Sequence, residues 1–135
     1  MIPSWVGENN YTDVPFLNKG TDTNGWDCYQ LCKYLSRKHF DKRLPDVTSY
    51  INANDPDEVI NTIREQVLNW VPVEKPKLGD VILFKFRGYP VHCGFVLDNV
   101  WMIHVMENCM TAVEKYKQFP WNQRYDSAYR YTSKN

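Results

Sequence analysis

Hydrophobic positions recur at helical spacing in the first half of the chain. Between residues 26 and 40 the apolar positions lie three and four residues apart, which predicts a helix whose first turn contains Cys28. A second helix is predicted over residues 55–71, where an aspartate cap and a proline precede an apolar stripe. Residues 1–25 are rich in Asn, Gly, Thr and Pro and predict an irregular arm.

The second half of the chain changes to the pattern of β-strands. Three segments rich in β-branched and aromatic residues are separated by short turn-forming sequences: residues 80–86, 91–97 and 100–106. Sequential strands with short turns predict an antiparallel meander, and weaker strand patterns follow at 112–116 and 128–131. Helices followed by a sheet predict an α+β fold.

Length and charge restrict the organisation and the partners. A chain of 135 residues that is 43% hydrophobic supports one domain over residues 1–135. Sixteen basic residues balance sixteen acidic ones, which gives no cationic surface for nucleic acid or anionic lipid. No segment approaches the roughly 20 apolar residues of a membrane span, and the N-terminus lacks the pattern of an export signal. We therefore expect synthesis in the cytoplasm and neither a nucleic-acid nor a membrane partner.

The cysteines and histidines admit two chemistries, nucleophilic catalysis and zinc binding. Without an export signal the four cysteines, at 28, 32, 93 and 109, are expected to be free thiols. No C-x-x-C or H-x-x-x-H pair occurs, and Cys93 is expected to point to the opposite sheet face from His92. The spacing therefore disfavours a metal site.

Cys28 has the surroundings of a nucleophile. The unpaired amides and the dipole at a helix N-terminus favour a thiolate and lower the pKa of a thiol placed there. The backbone N–H of Cys28 is also a candidate oxyanion donor. The alternative is a buried structural cysteine, which is the more common role for a cysteine considered alone.

His92 and His104 are predicted to lie side by side. An antiparallel hairpin that turns at Asp98 and Asn99 places these two histidines nearly opposite each other on adjacent strands. One imidazole can then accept the thiol proton while the other orients it. Trp26 and Tyr29 flank Cys28, and the sequence leaves open whether they form a cleft rim or pack in the core.

Several motifs together resemble the NlpC-type family of cell-wall peptidases over about residues 11–108. In chain order they are Pro15-Phe16, Gly20, Gly25-Trp-Asp-Cys28, Leu78-Gly-Asp-Val-Ile-Leu-Phe, His92-Cys-Gly-Phe-Val and His104. Three more motifs are similar to the phage tail-associated branch of that family: Leu44-Pro-Asp46, Trp121-Asn-Gln-Arg124 and Tyr129-Arg-Tyr131.

The resemblance implies a papain-like fold in which N-terminal helices pack on a central antiparallel sheet. It implies Cys28 as nucleophile, His92 as general base and His104 as the orienting residue, with no metal or cofactor. The implied reaction is hydrolysis of peptidoglycan stem peptides, at a γ-D-glutamyl bond to the following diamino acid, through an acyl-enzyme. Asp27 matches a family acid that helps to recognise the peptide. The tail branch implies phage tail proteins as partners and a virion tail as the location.

Two departures from the family pattern concern the surroundings of the nucleophile. Phe16 stands where the family often has a tyrosine hydroxyl near the oxyanion, which makes Tyr11 a candidate substitute donor. Tyr29-Gln30 replaces a common Ser-Gly and is expected to reshape the cleft. Two alternatives remain open: a structural tail or binding module with little catalysis, and a papain-like amidase or acyltransferase acting on another substrate.

Overall fold

The computed structural model describes residues 1–45 and 70–132. The helices are α1 (Trp5–Glu8), α2 (Cys28–Phe40) and α3 (Trp121–Arg124), and the strands are β1 (Thr21–Asp22), β2 (Gly25–Trp26), β3 (Trp70–Pro72), β4 (Val81–Phe86), β5 (Tyr89–Val96), β6 (Trp101–His104), β7 (Ala112–Lys115) and β8 (Tyr125–Tyr131). The helix predicted over residues 55–71 lies outside the described residues, except for its last two, which belong to β3. None of the described helices has the length and apolar character needed to cross a membrane.

Six strands form one antiparallel sheet in the order β3-β8-β4-β5-β6-β7. The neighbours β4, β5 and β6 are consecutive in the chain, which confirms the predicted meander. β8, the last strand in the chain, does not lie beside β7 but between β3 and β4. The helices and the antiparallel sheet confirm the α+β class.

Helix α2 begins where Asp27 caps it. The Gln30 N–H donates to Asp27 Oδ1 at 2.8 Å, and the Lys19 N–H donates to Asp27 Oδ2 at 2.9 Å. The first contact satisfies an amide that has no partner within the helix, and the second fixes the preceding loop to the helix start. The helix ends at Asp41, which adopts a left-handed backbone conformation with φ of 52°.

Two apolar cores cover the two faces of the sheet. On one face, buried residues of α2 pack against the sheet, and the members include Leu31, Cys32, Leu35, Cys93 and Phe95. On the other face a second cluster includes Ile82, Phe84, Met102, Trp121 and Ala128. Successive residues of β5 alternate between these faces. Cys93 therefore faces α2, whereas His92 contacts the rings of Phe84 and Trp121, as the sequence predicted.

Candidate active site

Cys28 is the first residue of α2 and is 2% exposed. Its thiol lies beside the side chains of Cys93 and His92, and both influence its pKa. The hydrogen bond with Cys93, together with burial, raises the pKa of Cys28 well above its ordinary value, while His92 acts in the opposite direction. This differs from the thiolate that the helix N-terminus alone predicts, because a neighbouring thiol and a dry environment favour the protonated form.

Two histidines and a glutamate continue from Cys28 as a hydrogen-bonded chain across three strands. His92 Nε2 on β5 lies 2.9 Å from His104 Nδ1 on β6. His104 Nε2 in turn lies 2.5 Å from Glu114 Oε2 on β7. Because Nε2 of His92 is occupied by His104, Nδ1 is the ring nitrogen that remains for the Cys28 thiol. The order Cys28, His92, His104, Glu114 is that of a nucleophile, a base and two supporting groups.

The histidines are neighbours, but with a different offset from the predicted one. In the β5–β6 register Phe95 pairs with Ile103 and Val96 with Met102, which continues to Gly94 opposite His104. His92 is therefore the diagonal neighbour of His104 on the same face, not its direct partner. Gly94, which lies between them in this register, leaves room for the Met102 side chain, because a Cβ atom there would lie 2.7 Å from the Met102 sulfur.

Burial lowers the pKa of both histidines. For His92, burial is the largest influence and the hydrogen bond to Cys28 acts against it. For His104, burial also lowers the pKa, and the contact with Glu114 raises it in part. The resting site therefore favours a neutral thiol beside a neutral imidazole, which leaves His92 free to act as a general base near neutral pH.

Aromatic rings enclose the histidine pair on the face opposite α2. The Trp121 ring lies 5.6 Å from that of His92 and 4.6 Å from that of His104, measured between centroids. Phe84 and Phe86 each contact His92 at 5.9 Å. These apolar walls limit the orientations of the imidazoles and shield this side of the pair from water.

The residues predicted to bind substrate beside Cys28 are buried. Trp26 is fully buried and packs against the rings of Tyr11 and Tyr34, so it belongs to the core and not to a cleft rim. Tyr29 is also buried, and its hydroxyl donates to the Pro45 carbonyl at 2.6 Å. Asp27 is buried as well, and each of its carboxylate oxygens accepts a backbone N–H.

Tyr11 does not lie where an oxyanion donor is needed. Its hydroxyl is 2.9 Å from His39 Nε2, near the C-terminal end of α2. His39 is eleven positions after Cys28 on the helix, a rise of about 16 Å. The buried ring is held there by Trp5 and Trp26. The remaining oxyanion candidate is the Cys28 backbone N–H, one of the first four amides of α2.

The four cysteines are free thiols, and three of them are buried. The Sγ atoms of Cys32 and Cys93 lie 3.9 Å apart, which places Cys93 between Cys28 and Cys32. Among residues 1–45 and 70–132, no group of three or more His, Cys, Asp or Glu side chains could hold a metal ion.

Sequence reasoning did not identify Glu114, and it did not connect Trp121 with the histidine pair. Glu114 pairs with Met102 and shares a sheet face with His104, because alternate residues of β6 and β7 point the same way. That alternation was present in the weak strand pattern at 112–116. What the pattern lacked was the identity of the neighbouring strand, which depends on contacts distant in sequence.

The chain matches the sequence model of the NlpC/P60 family over residues 13–130. No curated protein matches it significantly. Among solved structures it is similar to the NlpC/p60 domain of the peptidoglycan hydrolase SagA, with a TM-score of 0.60, 18% identity and coverage of 90% of this chain and 91% of that one.

Two longer proteins share the same fold. One, from Staphylococcus aureus subsp. aureus Mu50 and described as similar to a lipoprotein of the NLP/P60 family, has a TM-score of 0.62 and 18% identity, covering 93% of this chain and 39% of that one. The other, an NlpC/P60 family protein from Bacillus cereus ATCC 10987, has a TM-score of 0.66 and 20% identity, covering 98% and 42%. The chain thus spans less than half the length of these two proteins, and the likeness concerns the fold.

Proposed function

Because the chain belongs to the NlpC/P60 family, we propose that it is a cysteine peptidase or amidase that hydrolyses peptidoglycan stem peptides. The observation that carries the proposal is that Cys28, at the start of α2, lies beside His92, which is hydrogen-bonded to His104. The SagA domain, which has a similar fold, comes from a peptidoglycan hydrolase, and this supports the same substrate class.

The reaction proceeds through a thioester. As Cys28 Sγ attacks the carbonyl carbon of the scissile amide, its proton passes to His92 Nδ1. The carbonyl oxygen becomes an oxyanion, towards which the Cys28 backbone N–H donates. Collapse of the tetrahedral intermediate breaks the C–N bond, and His92 gives its proton to the leaving amine. Water, deprotonated by His92, then attacks the thioester carbonyl, the C–S bond breaks to release the carboxylic acid product, and His92 returns the proton to Cys28 Sγ.

Proton transfer and attack are coupled in this mechanism. Cys93 and burial raise the pKa of Cys28 and burial lowers that of His92, and both shifts disfavour the thiolate–imidazolium pair before substrate binds. The base has to take the proton while the new C–S bond forms. This differs from cysteine enzymes whose nucleophile is ionised before substrate binds.

The proposal extends to a particular bond and setting. The motif similarity described above supports cleavage between γ-D-glutamate and the following diamino acid, by a domain carried on a phage tail. Asp27 is the family's peptide-recognition acid in this scheme. Because both of its oxygens also accept backbone N–H groups, a role in binding requires a substrate amine to share an oxygen with the cap.

Purified muropeptides test the central proposal. We expect the wild-type protein to release stem-peptide fragments and Cys28→Ala to reduce the rate to background, because the nucleophile is lost. Cys109→Ala is the matched control, since Cys109 is an exposed thiol that lies outside the hydrogen-bonded chain. Fragment release is measured by chromatography and mass spectrometry, and equal rates for wild type and Cys28→Ala would overturn the mechanism.

A binding module is the second candidate function, favoured by the burial and the raised pKa of the Cys28 thiol. Under this proposal the domain holds stem peptides without turnover. This candidate would be supported if wild type and Cys28→Ala sedimented with purified cell walls at equal affinity and neither protein released fragments. Turnover of other acyl donors but not of muropeptides would instead favour an amidase or acyltransferase with a different substrate.

A further inference from the structure

We propose that Glu114 is a positioning residue, which selects the tautomer of His104 and, through it, the tautomer of His92. The catalytic consequence rests on the proposed function, whereas the tautomer itself is a property of the protein without substrate. Glu114 lies on the edge strand β7 and is not one of the three residues Cys28, His92 and His104. Its contact with His104 Nε2 is the last in the series of contacts that starts at Cys28.

The donors and acceptors along the chain fix the direction of every hydrogen bond. An ionised glutamate carboxylate only accepts, so the proton of the Glu114 contact is on His104 Nε2. A neutral imidazole carries one proton, so His104 Nδ1 is an acceptor. The 2.9 Å contact then requires a proton on His92 Nε2. His92 Nδ1 is left with a lone pair directed at the Cys28 thiol, which is the form that a general base requires.

Glu114 is the described group that fixes this direction, because the Cys28 thiol can both donate and accept a hydrogen bond. The titratable groups that act on the pair are Cys28 from α2 and Glu114 from β7. The β4 and α3 contacts are the aromatic rings of Phe84, Phe86 and Trp121, and the Arg124 guanidinium of α3 stacks over the Phe86 ring. These rings fix the imidazole planes but not the positions of the protons.

Removal of the carboxylate allows the reverse arrangement. In Glu114→Gln the amide can donate to His104 Nε2, which moves the His104 proton to Nδ1. His92 Nε2 then accepts, and His92 Nδ1 carries a proton that faces the sulfur. This tautomer cannot accept the thiol proton. A wrong histidine tautomer is known to cost a serine protease most of its rate when the supporting aspartate becomes asparagine.

Nuclear magnetic resonance of ¹⁵N-histidine protein tests the inference without substrate. Long-range ¹H–¹⁵N correlations at neutral pH are expected to show Nε2–H for both His92 and His104 in the wild type. Glu114→Gln and Glu114→Ala are expected to populate the Nδ1–H tautomer of His92. Glu8→Gln is the matched control, because it removes the same charge from an exposed glutamate on α1. Unchanged His92 tautomers in both Glu114 variants would overturn the proposal.

Kinetics provide the second measurement. We expect both Glu114 variants to lower kcat on muropeptides by about 10- to 100-fold with KM little changed, which is part of the roughly 100- to 10,000-fold contribution of a general base. The acid limb of the pH profile should move to lower pH, because the carboxylate that raises the pKa of His104 is gone. Since Glu114 is 43% exposed on an edge strand, both variants should fold, as their melting temperatures would report.

The two measurements separate this inference from the proposed function. A wild type that shows the expected tautomers but cleaves no muropeptide would contradict the substrate and leave the positioning role standing. A wild type that cleaves muropeptides while both Glu114 variants keep its tautomers, kcat and pH profile would contradict the positioning role and leave the substrate standing.

Discussion

At the scale of single residues, the chemistry of Cys28 depends on which neighbour shares its proton. Cys93 and His92 both contact the thiol, and their effects on its pKa have opposite signs. A thiol partner stabilises the protonated sulfur, whereas an imidazole can accept the proton and stabilise the thiolate. Cys93 therefore influences the pKa of the nucleophile, although its side chain lies on the face of β5 opposite to that of His92.

Replacement of Cys93 tests this balance. Cys93→Ala removes the largest influence that raises the pKa of Cys28, so the midpoint of iodoacetamide alkylation at Cys28 should move to lower pH and the rate at pH 7 should rise. Peptide mass spectrometry assigns the alkylation to Cys28. Cys32→Ala is the control, because it removes another buried thiol that contacts Cys93, at 3.9 Å, but that is not among the groups that shift the pKa of Cys28. The alkylation midpoint of Cys28 should change less in this variant than in Cys93→Ala. An unchanged or higher midpoint in Cys93→Ala would contradict the assigned role.

At the scale of secondary-structure elements, the start of α2 is the feature that positions the nucleophile. Sequence spacing alone placed Cys28 in the first turn, because caps and helical periodicity are local signals. The shared face of the histidines was also predictable from strand alternation. The two-residue offset between His92 and His104 was not, because it depends on how the β5–β6 turn closes. The contacts of Glu114 and Trp121 depend on β7 and α3 packing from distant parts of the chain.

The Asp27 cap makes the most direct prediction at this scale. Asp27→Ala should lower the free energy of unfolding by about 2 kcal/mol, the upper part of the usual range for a helix cap, because the Lys19 amide also loses its partner. The first turn should loosen, and kcat should fall with it. Chemical denaturation measures the stability. The control is Asp22→Ala, where an exposed carboxylate accepts one N–H from Asn24 at 2.9 Å and the expected loss is below about 0.5 kcal/mol. Equal losses in the two variants would show that Asp27 is not a buried cap.

At the scale of the whole molecule, the site depends on β8 lying in the interior of the sheet. β8 follows α3 directly, so its pairing with β4 places Trp121 against the two histidines. Buried Asp80, which immediately precedes β4, holds this strand through two 2.9 Å contacts, from Arg130 Nε to Oδ1 and from Arg130 Nη2 to Oδ2. The Lys77 N–H also donates to this carboxylate at 2.7 Å. The ion pair thus connects the start of the meander to the last strand.

Loss of Arg130 should therefore destabilise the fold more than loss of another cation that bridges the same strands. Arg130→Ala leaves the buried Asp80 carboxylate with a single described donor, and we expect a loss of about 1–3 kcal/mol, reduced from the fully buried case because the arginine side chain is 36% exposed. Lys85→Ala breaks the Lys85–Asp126 pair, a 3.4 Å contact between β4 and β8 with the lysine 49% exposed, and should cost about 0–1 kcal/mol. Urea denaturation of both variants at pH 7 decides the comparison. An equal or smaller loss in Arg130→Ala would mean that pairing with β4 and apolar packing hold β8, and with it Trp121, without the ion pair.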